Sequence, residues 1–424
     1  MNANKASAPR ASSSKIHMGA GYPSARRRVG WTLCSLGLLA ALLGCGSNPR
    51  PAQPAAQTVP SGTQAPSTAT GPAAPGAMAG GSLEGERAER RGAVWVRVNW
   101  DELPGFQQDA VGEVLPALRA SCPRAGDAWR VACEQAARLD ADDHHSVRLW
   151  MVQHLSPWRI EDRGGGREGL LTGYYEPHFE ARRHANAEFA YPLHRPPADL
   201  AQRRPYWTRQ QLESVREARA ALKGRELAYL RDPIDALVLQ IQGSGRLTIT
   251  EADGRRHTVR LTFAGHNDHP YGSVGRWLIE TGQLPAAQAG WPGIKAWVQR
   301  NPKRLQELLW KNPRMVFFQE EALTDPRVGP RGAMGVPLSP QRSIAVDPSS
   351  VPYGTAVWIH SPGPIGAPVL QRAVVAQDTG SAIVGAVRGD YFWGWGDEAG
   401  ELAGRLKGRL QMWALWPQGQ RPPP

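Results

Sequence analysis

The sequence has no apolar run long enough to cross a bilayer. Its most apolar stretch, Val29 to Gly44, is 16 residues, whereas a spanning helix needs about 20, so a polytopic membrane protein is excluded. Past the leader there is no block of Lys or Arg. The 424 residues carry 50 Lys+Arg against 38 Asp+Glu, a formal charge of +12. Six of those cations and none of the acids precede Cys45, so the remainder carries only +6. A charge that small and dispersed excludes nucleic acid as a partner and suits an anionic polymer or a membrane surface. Cysteine is scarce, with four residues, and no histidine pair sits at ligand spacing beside them, so zinc is not expected and no cofactor is called for. No repeat of fixed period and no regular strand–helix alternation occurs, which excludes solenoids and a doubly wound parallel sheet. Gly243 and Gly245 lack a third glycine opening a helix, so they form no dinucleotide fingerprint.

What is present begins with a targeting segment, 1–44. Arg26-Arg27-Arg28 precedes the apolar run, which ends Leu42-Leu43-Gly44-Cys45 and resembles a bacterial lipobox. In that reading the Cys45 thiol takes a diacylglycerol. Gly46 stands where an Asp would signal inner-membrane retention, so the periplasmic face of the outer membrane is the expected location. Met18 offers an alternative start that shortens a long basic leader. From Gly46 to Ser82, 30 of 37 residues are Pro, Ala, Gly, Ser or Thr. Such composition buries too little apolar area to offset the entropy of ordering, so 45–92 reads as a flexible tether. With Cys34 leaving in the leader, Cys122 and Cys133 remain, 11 apart in a helical segment. In an oxidising compartment a local disulfide between them is expected, with two buried free thiols as the alternative.

Beyond the tether, helical periodicity occupies 107–120, 127–139, 143–155, 208–222, 273–281, 289–299 and 303–311. Strand patterns occupy 169–175, 226–230, 235–241, 245–251, 257–263, 314–319, 343–346, 355–360, 371–377 and 409–415. A β-rich α+β fold follows. Gln240 to Arg246 reads as a Gly-Ser-Gly hairpin turn between two strands. His266-Asn267-Asp268-His269 reads as a loop tip rather than a metal pair.

The C-terminal segment carries the chemistry. Asp347 ends the run Ser343 to Val346, Asp378 ends Val374 to Gln377, and Asp390 is expected inside an aromatic, Gly-rich loop, Arg388 to Gly396. Any one of them would ordinarily cap a turn. Three within 44 residues, beside Trp393 and Trp395, point to a cleft where sugar rings stack on aromatics while a carboxyl group transfers a proton. Asp378-Thr379-Gly380-Ser381 also matches the loop of aspartic proteases, which need two such loops. There is no second Asp-Thr-Gly here.

At this point the chain resembles the membrane-bound lytic murein transglycosylase A family with its C-terminal three-aspartate domain. The matching stretches are Gly173 to Pro177, Gln240 to Arg246, Tyr271 to Leu278, Asn312-Pro313 with Val316 to Phe318, Gly335 to Leu338, Ser343 to Pro348, Asp378 to Gly380 and Asp390 to Ala403. Ser381 and His266-Asn267-Asp268 depart from the family pattern in loop detail. The resemblance implies a double-psi β-barrel built from 93–177 and 313–417, with the three-aspartate segment at 331–417. A second β-barrel, 178–312, is inserted, and a groove between the two holds a peptidoglycan glycan strand. The activity implied is that of a peptidoglycan lytic exotransglycosylase. It cleaves the β-1,4 bond between N-acetylmuramic acid and N-acetylglucosamine without water, leaving a 1,6-anhydro ring.

One carboxyl group suffices for that reaction, because the substrate's own C6 hydroxyl attacks. The match makes Asp378 the acid, with Asp347 and Asp390 as neighbours that raise its pKa or orient it. Tyr174, Gln240, Gln242 and Ser244 are expected in the groove, with Trp393 and Trp395 as sugar platforms. Murein synthases or scaffold proteins are possible partners. A non-catalytic wall-binding module is the alternative, since double-psi barrels also grip polysaccharide without cutting it. On the lipobox reading, Cys45→Ala leaves an exported protein that no longer sediments with membranes. Unchanged membrane fractionation removes the anchor.

Overall fold

The computed structural model describes residues 85–362 and 369–424. The leader, Cys45 and most of the tether lie outside the described residues. In chain order the strands are β1 Arg87–Glu89, β2 Val94–Arg97, β3 Leu155–Glu161, β4 Gly169–Glu176, β5 His178–Arg182, β6 Tyr191–His194, β7 Glu226–Leu230, β8 Gly245–Thr250, β9 Arg256–His266 and β10 Val316–Ala322. They continue as β11 Ser343–Val346, β12 Ala356–Ser361, β13 Leu370–Asp378, β14 Arg388–Trp395 and β15 Lys407–Pro417.

Two sheets result. In the first, β15, β12, β13, β11, β14 and β4 are hydrogen-bonded in that order, and β4 pairs back onto β15. Six strands therefore close into a barrel, the double-psi barrel expected from the resemblance, with parallel pairs at β11/β13 and β4/β14. Closure removes the unpaired edges that an open sheet would present. The long strand β15 also carries β3, β2 and β1 on its outer side. The second sheet, β10-β9-β8-β5-β7-β6, curls until β10 and β6 touch, without a hydrogen-bonded seam.

Each sheet buries its own core. Trp358, Val374, Tyr391, Leu410 and Met412 fill the barrel, while Leu227, Leu247, Leu261 and Phe318 fill the second sheet. Cys122 and Cys133 are joined, S–S 2.05 Å, between the helices Leu115–Ser121 and Arg130–Ala136.

The structure differs from the sequence reading in several places. β10, Val316–Ala322, pairs with β9 in the second sheet, so the insert runs past residue 312 and the returning barrel half does not begin at 313. β1 lies inside the stretch assigned to the tether, where Arg87 to Glu89 pair with Val96 to Val94. Residues 235–241 are not a strand, and Gln240 does not open a hairpin. They belong to the helix Pro233–Gln242, started by Asp232, whose carboxylate accepts from the Ile234 amide (2.8 Å), with Pro233 at the first turn. Gly243 ends it with φ +79°, a left-handed conformation that glycine adopts without steric cost. Ile234, Leu237, Val238 and Leu239 are all buried, and a short apolar run buried all round carries no periodicity to separate helix from strand. Finally, Arg388 to Trp395 form a strand rather than a loop, and the helix Gly396–Arg405 follows it.

The two sheets meet at one buried ion cluster. Glu176, fully buried at the end of β4, accepts from Arg246 of β8 (2.8 Å) and from Arg260 of β9 (2.5 Å). The two guanidinium groups also donate to the carbonyls of Pro326 (2.7 Å) and Val328 (2.5 Å) on the returning chain. Removing one partner from a buried charge group costs about 3–5 kcal/mol, because the remaining charges stay desolvated. Glu176→Gln, which leaves two buried guanidinium groups facing each other, is therefore expected to lower stability by about that amount in urea denaturation. Glu180→Gln, which breaks a pair with Arg256 that is 58% exposed on both sides, should cost no more than about 1 kcal/mol. Equal effects of the two substitutions would contradict the clamp.

Candidate active site

The barrel brings two of the three aspartates into one row. Ala345 of β11 is in register with Asp378 on one neighbouring strand and with Asp390 on the other. Asp390 is in turn in register with Thr172 of β4. The acids thus flank a small residue, two strand spacings apart, or roughly 10 Å between backbones. A register shift between Ile344 and Ala345 turns Asp378 out at the end of its strand, a common use of an irregularity beside a functional site.

Alternation along β13 sends the preceding residue, Gln377, inward. Its amide donates to the Ala117 carbonyl (2.9 Å) and the Ser121 hydroxyl (2.9 Å), and Ser343 donates to it. That buried network fixes the backbone immediately before the acid.

Asp378 receives three hydrogen bonds. Oδ2 accepts from the Tyr174 hydroxyl (2.9 Å), and Oδ1 accepts from the amides of Ala333 (2.8 Å) and Thr379 (2.9 Å). The segment carrying Ala333 approaches so closely that a side chain on Gly332 would meet the Gln377 carbonyl at 2.5 Å. Burial pushes the Asp378 carboxyl above its ordinary range, while the three hydrogen bonds pull against it. Burial, reinforced by the Asp378 charge, pushes the Tyr174 phenol well above its ordinary range, so it stays a donor. Phe392 packs against the Tyr174 ring, centroids 5.2 Å apart.

Asp390 is lifted to about 6 by burial. Its bond from the Thr172 hydroxyl (2.6 Å) and the Arg388 charge oppose that rise, and the Asp378 charge adds to it. Repulsion is mutual, so whichever carboxyl ionises first raises the other.

Asp347 is placed differently from the expectation. Burial raises its carboxyl, but bonds from the Gly385 amide (2.9 Å) and from the amide and hydroxyl of Ser349 (2.9 and 2.7 Å) outweigh this and hold it below the usual range. It clamps two turns together. Burial and these turn contacts, not a charge on Asp378, account for its state, so it does not serve as the neighbour that raises the acid.

A cleft of about 670 Å³ opens at Asp378, walled by the end of the barrel on one side and by β9 and β10 on the other. A side pocket of about 170 Å³ shares Gln240, Arg314 and Ser381 with it and reaches Asp390. Tyr174, Gln240, Gln242 and Ser244 all line the main cleft. Gln242 is held by the Tyr175 amide (3.1 Å) and Gln240 by the Arg209 guanidinium.

The two tryptophans do not line it. Trp393 is 8% exposed, edge-on to Tyr391 at 5.0 Å and packed over Gly173, whose missing side chain makes the room. Trp395 lies under the Arg246 guanidinium, 4.2 Å from its ring centre. Both are corrections to their expected role as sugar platforms. Residues not expected in the site also line the cleft: Gln319, Glu321, Arg314 and His266, which ends β9 rather than lying in a loop tip. The alternating pattern of β9 and β10 was visible, but their facing partner was not. The second histidine of the 266–269 stretch, His269, instead meets the Tyr206 carbonyl (2.8 Å).

Comparison with known proteins agrees with this geometry. The family model described as "MltA specific insert domain" matches residues 170–319, and that of the "3D domain" matches 342–416. Membrane-bound lytic murein transglycosylase A of Escherichia coli is 30% identical over 329 residues, 73% of this chain and 84% of that protein. Its crystal structure with bound chitohexaose matches with a TM-score of 0.58 at 26% identity, covering 81% of this chain and 98% of that one. The lytic transglycosylase LtgG of Burkholderia pseudomallei is 43% identical, covering 80% and 98%, with a TM-score of 0.57. MltA from Neisseria gonorrhoeae matches with a TM-score of 0.67 at 31% identity, covering 80% and 96%.

Proposed function

The chain belongs to the membrane-bound lytic murein transglycosylase A family, whose members are lyases acting on peptidoglycan, and from that premise we propose that Asp378 alone gives and takes the proton. Family membership answers the alternative of a non-catalytic wall-binding module. The observation that carries the proposal is that Asp378 is the one member of the aspartate trio lining the main cleft, with its carboxyl raised by burial.

Hydrolysis of a glycosidic bond needs a second carboxyl group as base or nucleophile. Asp390 sits in the side pocket, engaged by Thr172, and Asp347 is used up in its turns. With a glycan strand in the cleft, protonated Asp378 gives its proton to the oxygen between N-acetylmuramic acid and N-acetylglucosamine. As the bond breaks, the muramyl C6 hydroxyl attacks C1, and the Asp378 carboxylate takes the hydroxyl proton. The 1,6-anhydro ring closes and the acid is regenerated.

The three hydrogen bonds to Asp378 gain strength as its negative charge develops. They therefore favour the transition state over the ground state. Binding of chitohexaose by the E. coli relative supports a groove that holds a β-1,4 glycan.

For location, relatives are named membrane-bound, and among the described residues no helix is long and apolar enough to cross a membrane. A lipid on Cys45, holding the chain at the periplasmic face of the outer membrane, reconciles the two.

Asp378→Asn keeps size and most hydrogen-bonding geometry but cannot give up a proton. Release of anhydro fragments from purified sacculi, followed by mass spectrometry, should fall by at least about 10²-fold, the scale of general acid catalysis. Binding of sacculi should survive. Asp390→Asn should cost less. Near-normal anhydro release by Asp378→Asn would overturn the assignment.

A further inference from the structure

A second cavity, about 910 Å³, lies on the inserted sheet, away from the aspartates. Its volume is in the range of built ligand sites. Leu212, Leu222 and Met315, all buried, contribute its apolar surface.

One rim is the helix Arg216–Leu222, extended by Lys223. Arg216, Arg219 and Lys223 fall at spacings of three and four, so they share a helix face. All three are exposed, and among the described residues none has an ion-pair or side-chain hydrogen-bond partner. The acids in the lining do not neutralise them. Glu213 is engaged by the Trp310 indole (2.8 Å) and by Arg209 (3.7 Å), leaving Glu226 against three free cations. His194 also lines the cavity. It is 6% exposed, and its Nδ1 meets no partner among the described residues. Burial pushes that imidazole down to about 4, so at neutral pH it offers a hydrogen-bonding group and no charge.

We infer that this cavity is a second peptidoglycan-binding site that takes the carboxylates of the stem peptides. Arg216 and Lys223 are seven residues apart, about 10 Å along the helix. That spread matches several carboxylates along a short extended peptide, which advances about 3.5 Å per residue, better than the single point charge of a phosphate. The apolar lining suits the small side chains of such a peptide. Gln240, held by Arg209, lines both this cavity and the catalytic cleft, so an occupant here sits one side chain from the glycan groove. The inference rests on the peptidoglycan reading only for the identity of the peptide.

The test is fluorescence anisotropy with the full chain and a labelled, sugar-free Ala–Glu–diaminopimelate–Ala peptide, with sacculus cleavage measured on the same preparation. Saturable binding is expected. It should weaken at least tenfold in Arg219→Glu and in Lys223→Glu, both exposed positions that tolerate charge reversal, and be lost when the peptide carboxyls are amidated. Asp378→Asn should leave it unchanged.

Absence of saturable binding, equal binding of the amidated peptide, or indifference to both charge reversals would overturn the site. So would full displacement of the peptide by low-millimolar inorganic phosphate, which would mark a point-anion site instead. Intact cleavage without peptide binding would sink this inference alone. Peptide binding with Asp378→Asn still cleaving would sink the catalytic assignment and leave the site standing.

Discussion

Everything in the site depends on how the two sheets are held, and that rests on the Glu176 carboxylate. The chain leaves the barrel at Glu176 and begins the second sheet at His178. It returns past Pro326 and Val328 on its way to β11. Outgoing and returning segments are tied by the same two guanidinium groups, Arg246 and Arg260, and Arg246 also covers Trp395 at the end of β14. A buried ion cluster adds little net stability over an apolar one of the same volume. What it adds is a defined geometry, since fixed donor and acceptor directions set the relation of β8 and β9 to β4. The cleft is the space left between those elements.

Within that frame, the acid is tuned by two opposed effects of similar kind. Desolvation favours the neutral carboxyl of Asp378, while Tyr174, Ala333 and Thr379 favour the charged one. Desolvation wins. Asp390, with one hydroxyl donor and a nearby guanidinium, is lifted to about 6, and Asp347, with three donors and less burial, falls below its usual range. Three aspartates on one barrel thus have three different environments, which decide their roles more than their shared position at strand ends.

Much of this was legible in the sequence. The strand patterns ending in Asp378 and Asp347 were readable because β-branched and apolar residues alternate into turns. The grouping of Tyr174, Gln240, Gln242 and Ser244 came from the family motifs. What was not legible depends on neighbours distant in the chain. Within Pro233 to Gln242 the run Ala236 to Leu239 is apolar and buried at every position, so its period was hidden, although Asp232-Pro233 and Gly243 were readable as caps. Trp393 looked like a platform because composition cannot show that Gly173, 220 positions earlier, leaves a space shaped for its ring. Asp347 looked equivalent to Asp390 until the turn bonds from Ser349 and Gly385 were seen.

The central claim is that Asp378 reaches its working state because burial outweighs its three hydrogen bonds. Its carboxyl can be followed directly by carbon-13 NMR of aspartate-labelled protein across pH, the resonance being assigned by its loss in Asp378→Asn. The account predicts a titration above the ordinary aspartate value of about 3.9, moving to higher pH in Tyr174→Phe, which removes one of the bonds favouring the charged form, and staying in place in Asp347→Asn. A titration at or below the ordinary value, or one that moves with Asp347 and ignores Tyr174, would contradict it.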